Sequence, residues 1–422
     1  MNKVVRMFLV LVLFIGCSAK LSLADEVTDW NRIMLDALRI GGPGGVVATR
    51  QAAIVQSAVF DALNGIERRY QPIHVPPGAA PGASRRAAVV QAAYATLVKL
   101  FQAQKSDLDA KRAASLAGIA SEEAVGHSQS IARGIEWGQE VADAIWAWRS
   151  TDGFSAVRSP FTGAAAPGQW RPTPPANAPM AALNFAFMST WIINSPFQFP
   201  LPGQPPMASA KYLADFNEVK SLGSASSITR TADQTLAARF WASSGSPNFF
   251  WNEVAVKLGS QRNTTISENA RILAWVNLAM ADAGITVWTA KYNYNFWRPI
   301  TAINLADTDP NPLTEADPSW TPLITTPAYP DYPSGLLGVS SAAVGVLVNV
   351  FGANSAFVVT TDSTNPALAG VTRSFSNFPS ALDELVGARI WSGIHFRTAD
   401  EDSRQLGTSI GNYIAANALQ RR

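Results

Sequence analysis

The sequence predicts an all-α protein, built as one large helical domain that follows a short leader. Two observations support this fold class. Apolar residues recur at spacings of three and four along most of the chain, which is typical of helices with a buried face. No series of alternating apolar and polar residues indicates strands. Hydrophobic residues make up 47% of the 422 positions, so the chain can bury a large core.

The helical pattern appears in seven segments, which are residues 52–63, 86–101, 131–148, 268–288, 334–351, 383–391 and 399–413. Gly153 is expected to end the third of them, since glycine readily adopts the conformation that follows a helix. The last segment is preceded by Thr398, and Glu401 lies three positions further on, which is the spacing of a capping box.

Residues 158–208 differ from the rest of the chain. Eleven prolines interrupt any helix there, yet tryptophans and phenylalanines are too frequent for a solvated linker. We expect a long ordered excursion that packs on the helices and could form the wall of a pocket. The absence of a polar break favours a single domain over residues 25–422, with two fused helical halves as the alternative.

The first 24 residues have the features of a signal peptide. Lys3 and Arg6 precede an apolar run over residues 7–16, and Ser22-Leu23-Ala24 is a small-x-small cleavage site. The protein is therefore expected to be secreted or periplasmic, with no transmembrane segment after cleavage. Cys17 lies in a sequence that resembles a lipoprotein box, but the fit is poor and lipid anchoring is the less favoured alternative.

Cleavage would leave 30 of the 33 basic residues against 31 acidic ones, and no cysteine. A chain without cysteine has no disulfide and no thiolate nucleophile or metal ligand. The near-neutral charge argues against general binding to nucleic acid or to anionic membranes. Small molecules are the expected partners, and the sequence leaves open whether the chain forms a homodimer.

Two cations and a proline form the first of three polar segments in the last third of the chain. Lys291 and Arg298 are seven positions apart, about two helical turns, so a continuous helix would place both on one face and Pro299 would stop it. Four aromatic residues lie among them, and two cations in such surroundings need an anion. The alternative is that both side chains extend to water.

Pro333-Ser334-Gly335 is the second segment, directly before an apolar helical run. Ser334 is expected near the helix N-cap, where the free amides of the first turn bind anion oxygens. Gly335 would let a ligand approach the backbone closely. Ordinary helix capping is the alternative interpretation.

Arg389 and His395 form the third segment. They are six positions apart and would face different ways on an unbroken helix, so a shared ligand requires the helix to end near Gly393. His395 is one of three histidines. We expect the other two, His74 in a proline-rich loop and His127 in a polar stretch, at the surface.

Together the three segments resemble the signature of the vanadium haloperoxidase and type-2 phosphatidic acid phosphatase superfamily, which is Lys-x6-Arg-Pro, Pro-Ser-Gly-His and Arg-x5-His. Flanking residues resemble its bacterial haloperoxidase-like branch, notably Asp282-Ala283-Gly284 and the run from Ala388 to Arg397. The similarity runs from about Trp30 to Gly411, with the motifs within residues 282–400. This resemblance implies a helical bundle of the haloperoxidase and acid phosphatase type.

The resemblance also implies roles for individual residues. His395 would bind vanadium axially or attack phosphorus, and Lys291 would also polarise bound peroxide. Trp288 and Tyr329 would lie at a halide pocket, although a core role for Trp288 is favoured over a halide-specific one. Asp282 would orient Arg389 or Lys291, or be a satisfied buried acid. The oxygens of vanadate or phosphate would be held by Lys291, Arg298, Ser334, Gly335 and Arg389.

Leu336 departs from the family pattern, which has a histidine there that moves a proton to or from the substrate. General acid–base groups contribute about 10²–10⁴-fold to a rate. Oxyanion binding is expected to survive, whereas turnover would be weakened or would need a substitute such as Asp331 or Tyr332.

The leading hypothesis is an exported, vanadium-dependent haloperoxidase-like protein that uses vanadate, hydrogen peroxide and halide, with reduced activity because of Leu336. The first alternative is an acid phosphatase that needs no cofactor, acts on a phosphoester and uses His395 as the nucleophile. The second is a member that binds phosphate or vanadate without catalysis.

Overall fold

The computed structural model of this protein describes residues 25–122, 128–243, 247–361, 363 and 365–422. The predicted signal peptide (residues 1–24), including Cys17, lies outside the described residues, and so does His127.

The all-α prediction is confirmed. The described residues contain one two-stranded antiparallel hairpin, Phe357–Thr360 (β1) with Thr372–Phe375 (β2). They form thirteen α-helices, which are α1 (Glu26–Gly41), α2 (Gly45–Glu67), α3 (Arg85–Leu100), α4 (Lys105–Glu122), α5 (Ser128–Ser150), α6 (Ala210–Leu222), α7 (Ala232–Ser243), α8 (Pro247–Gln261), α9 (Ile266–Tyr294), α10 (Pro299–Asn304), α11 (Gly335–Phe351), α12 (Phe378–Trp391) and α13 (Arg397–Asn417).

All seven predicted helical segments lie in helices, with α2, α9 and α13 longer than their apolar patterns. The predicted capping box at Thr398 is wrong. Helix α13 already begins at Arg397, and its N-cap residue is Phe396, whose side chain cannot cap. Thr398 and Glu401 therefore lie within the first turns, where the Thr398 amide donates to the carboxylate of Asp215 on α6 at 3.1 Å instead of to a local cap.

Helix α9 is at the centre of the fold. It packs against α2 on one side and α11 on the other, α11 packs against α13, and α2 packs against α3, which contacts α5. By length and apolar composition α9 could cross a membrane, but its most apolar 18-residue stretch is completely buried, as in the core helix of a globular domain. The helix thus carries side chains to the middle of the protein, far from bulk water.

The excursion over residues 158–208 is ordered and packs on the helices, as predicted. A short 3-10 helix, Leu183–Phe187, is its one regular element among the described residues. Trp170 and Phe185 are fully buried. Stacking of Phe161 on Trp170, with ring centroids 6.0 Å apart, anchors one end. The excursion does not, however, line the main cavity described below, so the predicted pocket wall is not confirmed there.

Asp282 fastens the excursion to α9. Its buried carboxylate accepts hydrogen bonds from three consecutive backbone amides, those of Trp191 (2.6 Å), Ile192 (2.9 Å) and Ile193 (3.0 Å). Burial raises the pKa of Asp282 to about 6, although the three amides oppose the shift. Of the two roles considered from the sequence, the geometry is that of a satisfied buried acid, because the oxygens are engaged by the excursion.

Asp282→Asn is expected to lower the free energy of unfolding by about 1–3 kcal/mol, because one amide oxygen cannot serve three donors and the new NH2 group would face them. Urea denaturation at pH 7 measures the loss. Asp307→Asn, an exposed position, is the control and should be nearly neutral. Equal stability of the two variants would contradict the anchoring role.

Candidate functional site

Lys291 lies near the end of α9 and is fully buried. Its ammonium group donates to the backbone carbonyls of Pro330 at 2.6 Å and Asp331 at 2.9 Å. Two of its three donors are thus engaged by the loop that precedes α11. Burial, and next the neighbouring Arg298, lower the pKa of Lys291 well below its usual value.

Arg298 is not on the same helix as Lys291, so the prediction of one shared helix face is wrong. Helix α9 ends at Tyr294, because Asn295 adopts a left-handed conformation (φ 49°), and Pro299 begins α10 instead of stopping α9. Proline suits a first helical position, where no amide donor is needed. Arg298 nevertheless lies beside Lys291, since the turn brings the chain back into the core.

Most donors of the Arg298 guanidinium are already engaged. Nε donates to the Tyr329 carbonyl at 2.7 Å, and Nη1 donates to the Ile394 carbonyl at 2.5 Å. The other terminal nitrogen, Nη2, is buried and has no hydrogen-bond partner among the described residues. The two N–H groups of Nη2 therefore remain for a ligand.

Ser334 is the N-cap residue of α11, as predicted, but it does not cap through its side chain. Its amide donates to the Ala399 carbonyl at 3.0 Å, while its buried hydroxyl has no partner among the described residues. A Cβ at Gly335 would lie 3.2 Å from the Trp288 ring, tighter than ordinary contact. The Ser334 hydroxyl and the backbone amides in the first turn of α11 are donors for which the helix itself supplies no acceptor.

Helix α12 ends between Arg389 and His395, as predicted from Gly393, so both residues can belong to one site. The helix stops at Trp391, and Gly393 follows with a left-handed φ of 77°. Arg389 is 6% exposed, and its Nε has no partner among the described residues. Burial lowers the pKa of Arg389. Its guanidinium is thus a third buried cation with a free donor.

His395 is fully buried between a cation and a carboxyl group. Nε2 lies 3.1 Å from Arg298 Nη1, and Nδ1 lies 2.8 Å from Asp331 Oδ1 without forming an aligned hydrogen bond. Burial and the surrounding cations lower the pKa of His395 well below its usual value, so the imidazole is neutral at neutral pH. A neutral ring can act as a ligand or as a nucleophile.

Asp331 and Asp400 are two further buried acids, and sequence reasoning missed Asp400. Their carboxylate oxygens accept no well-aligned hydrogen bond among the described residues, although the Ser334 hydroxyl lies near Asp400 and the Phe396 amide lies near Asp331. Burial raises the pKa of Asp331 to about 7, against the opposing effect of Arg298 and Lys291. Burial also raises the pKa of Asp400 well above its usual value, with Ser334 and Arg389 as neighbours that oppose it. An aspartate five positions after His395 was the available signal.

Tyr332, the other substitute considered for the missing proton carrier, lies away from these groups. Its hydroxyl donates to Asp402 at 2.8 Å and accepts from the Gly203 amide at 3.0 Å. It joins α13 to the excursion. Asp331 is thus the one of the two candidates that contacts His395.

A cavity of about 280 Å³ opens onto the site. Arg389 and Gly335 lie at its inner end, together with Leu336, which is half-buried and contributes to the wall. Helix α2 and the region around α7 and α8 supply the other side, which the sequence did not predict. The described lining residues are Gly45, Val46, Thr49, Trp241, Ala242, Pro247, Trp288, Ile324, Thr325, Pro327, Tyr329, Gly335, Leu336, Val339, Arg389 and Ile394.

Trp288 and Tyr329 both line this cavity, with ring centroids 5.1 Å apart. Trp288 is fixed by a hydrogen bond from Nε1 to the Ala181 carbonyl at 3.0 Å. The Tyr329 ring contacts the cations, with Lys291 Nζ at 5.0 Å and the Arg298 guanidinium at 4.8 Å from its centroid. The two rings form an aromatic boundary between the cavity and the buried charges.

Of the other two histidines, only His74 can be placed. It is exposed, as predicted, and stacks on Trp148 with ring centroids 4.4 Å apart. Among the described residues, no group of three histidine, aspartate or glutamate side chains could bind a metal cation.

The fold and site thus define a helical protein with a buried group of three cations, a serine and a histidine beside a cavity. We call the group formed by Lys291, Arg298, Ser334, Gly335, Arg389 and His395 the cradle. Three cations converge there from the end of α9, the start of α10 and the end of α12, next to the first turn of α11. Burial lowers the pKa of all three cations, and the neighbouring Asp331 and Asp400 oppose that shift.

Comparison with known proteins supports the family resemblance. Residues 271–421 match the model of the VCPO second helical-bundle domain, so this segment is similar to that domain of the vanadium haloperoxidases. The vanadium chloroperoxidase of Curvularia inaequalis is 32% identical over 133 aligned residues. That alignment covers 26% of this chain and 21% of the fungal protein.

Two solved structures share the fold over almost the whole chain. The first bacterial vanadium-dependent iodoperoxidase superimposes with a TM-score of 0.79 at 24% identity, covering 94% of this chain and 97% of the other. A holo-type bacterial vanadium-dependent chloroperoxidase gives a TM-score of 0.68 at 14% identity, covering 94% and 93%. The predicted haloperoxidase fold is therefore confirmed.

Arg389→Ala is expected to reduce the thermal stabilisation that orthovanadate or phosphate gives the protein, because a ligand stabilises only the state that binds it. Loss of charge-assisted hydrogen bonds should weaken binding about tenfold or more. Differential scanning calorimetry and titration calorimetry measure both effects, and Arg298→Ala should behave alike. Arg239→Ala, at an exposed position, is the control. Unchanged affinity in both cradle variants would exclude the cradle as the binding site.

Proposed function

We propose that this protein binds vanadate in the cradle and oxidises halide with hydrogen peroxide, at a rate limited by Leu336. One observation carries the proposal. The guanidinium Nη2 of Arg298, Nε of Arg389 and the hydroxyl of Ser334 are all buried without partners among the described residues. Buried donors are nearly always hydrogen-bonded. Two of these donors belong to arginines, and a cation with a free buried N–H group fits an oxyanion.

Vanadate suits the chemistry of these residues. Its oxygens would accept from the free donors of Arg298, Arg389 and Ser334, and the remaining Lys291 donor would complete the set. The neutral imidazole of His395 would supply a nitrogen ligand to the metal. Bound vanadate would act as a Lewis acid that activates peroxide towards halide, with no change in its oxidation state.

His395 would first have to be freed from its contact with Arg298. In this structure Nε2 lies 3.1 Å from Nη1, so the nitrogen needed for coordination is next to a cation. An incoming oxyanion can attract Arg298 instead, because a charge-assisted hydrogen bond to an anion is stronger than one to a neutral ring. Binding would thus rearrange the guanidinium and release the imidazole.

Leu336 limits turnover, because turnover requires a group that transfers a proton. Its side chain faces the cavity and can neither accept nor donate a proton. Asp331 is the nearest described carboxyl to His395 and lies on the side of Lys291 and Arg298. We propose slow turnover, since no described group in the cavity lining replaces the histidine that the family pattern has at position 336.

An acid phosphatase is the second candidate. It is favoured by the cavity, whose apolar and aromatic lining next to the cradle could hold the organic part of a phosphoester. His395 would then attack phosphorus, and the cations would stabilise the five-coordinate transition state. A third candidate binds the oxyanion without turnover, for which the contact between His395 and Arg298 is the supporting observation. Export through residues 1–24 remains part of the proposal.

His395→Ala is expected to abolish vanadate-dependent halogenation and any phosphatase activity, because the cradle would lose its nitrogen donor. Halogenation of a phenolic dye with peroxide and vanadate, and hydrolysis of an aryl phosphate, are the two assays. His74→Ala is the control and should retain activity. Retained activity in His395→Ala together with loss in His74→Ala would refute the assignment.

Leu336→His should raise kcat more than anion affinity, since a general acid acts mainly in the transition state. A gain of about 10-fold or more is expected in halogenation or on phosphates with poor leaving groups, and least on activated aryl phosphates. Leu336→Gln is the control, because it is polar but moves no proton at neutral pH. Thermal unfolding first verifies that each variant folds. Equal rates for the two variants would show that Leu336 is not the limiting position.

A further inference from the structure

A second concentration of positive charge lies at the opposite end of α9 from the cradle. Arg271 is in the first turns of α9, twenty residues before Lys291, which corresponds to about 30 Å along a helix. It belongs to an arginine cluster around the end of α2, the start of α9 and the last residues of the chain. The cluster consists of Arg68, Arg69, Arg262, Arg271, Arg421 and Arg422.

The arginine cluster lines two adjoining cavities. One, of about 320 Å³, contains Arg262 and Arg271, and the other, of about 430 Å³, contains Arg68, Arg69 and Arg422. Both cavities share Tyr70, Glu268 and Arg421. The cations therefore surround a continuous surface depression and are not scattered over a convex face.

The negative charge within reach does not balance the cluster. Glu268 is the one acidic side chain that lines the described parts of the two cavities. The N-cap of α9 already engages it through Thr265, whose amide and hydroxyl both donate at 2.9 Å. Glu67 lies 3.3 Å from Arg69 and also pairs with Arg85 at 2.7 Å. Among the described residues, the side chains of Arg68, Arg421 and Arg422 form no ion pair.

Two members of the cluster are held in place before any ligand arrives. The Arg271 guanidinium lies 3.9 Å from the centroid of the Trp275 ring and 4.5 Å from that of Tyr70, and its Nε donates to the Leu419 carbonyl at 2.9 Å. Arg262 donates to the Phe351 carbonyl at 3.1 Å. Fixed guanidinium groups lose little side-chain entropy on binding, which favours a specific site.

We propose that the arginine cluster binds a soluble chain of linked phosphate groups. All six cations are arginines, whose planar guanidinium groups match phosphate oxygens in pairs. Two adjoining cavities with cations in both suit a ligand that carries at least two anionic groups a short distance apart. A single orthophosphate could contact only part of the cluster and should bind more weakly.

Titration calorimetry with inorganic tripolyphosphate tests this proposal on the full chain. Wild type should bind tripolyphosphate, and Arg421→Glu should weaken that binding at least tenfold. Arg239→Glu makes the same change of charge at an exposed position outside the cluster and should keep wild-type affinity. Arg421 is exposed, so its replacement leaves the core intact.

A second arm separates the arginine cluster from the cradle. Arg298→Ala should retain tripolyphosphate binding, since the cluster does not include the cradle. Absence of binding to wild type, loss of binding in Arg298→Ala, or equal weakening by Arg421→Glu and Arg239→Glu would each overturn the proposal. Should Arg298→Ala not fold, the comparison of the two charge-reversal variants decides alone.

Discussion

The burial of three cations in the centre of a helical protein is the constraint on which the rest of the structure depends. Lys291, Arg298 and Arg389 lie in a core with little water, where an isolated charge is costly. The protein offsets part of that cost with backbone carbonyls of Tyr329, Pro330, Asp331 and Ile394. Carbonyls are available there because the segments before α11 and after α12 are irregular loops whose oxygens serve no helix.

Two of these cations also connect irregular segments. Lys291 joins α9 to the loop before α11, and Arg298 joins that loop to the segment after α12. The Ser334 amide joins the start of α11 to Ala399 at the start of α13. Asp282 also connects an irregular segment to a helix, but through a negative charge. Its carboxylate on α9 accepts hydrogen bonds from three backbone amides of the excursion. Charged groups thus act as anchors for irregular segments, while apolar packing of α9, α2 and α11 forms the framework.

Binding and turnover are separable in this site because different residues support them. The donors that would hold an oxyanion belong to the buried side of the cradle and do not depend on position 336. Leu336 belongs to the cavity wall, where an apolar side chain preserves packing but removes a proton carrier. Asp331 contacts His395 on the other side of the ring, so it can influence the orientation of the imidazole without reaching the cavity as a replacement.

The sequence by itself determined the helical fold class, the seven apolar helices and the identity of the cradle residues, because these follow from local periodicity and from short motifs of fixed spacing. Gly393 even indicated where α12 must end. Only the tertiary structure decided that Lys291 and Arg298 come from two helices, that Asp282 anchors the excursion, and that Asp331 and Asp400 lie next to the cradle. It also decided that α2 and the α7–α8 region line the cavity. Those contacts join residues far apart in the chain, and their geometry depends on how helices pack, which local sequence patterns do not encode.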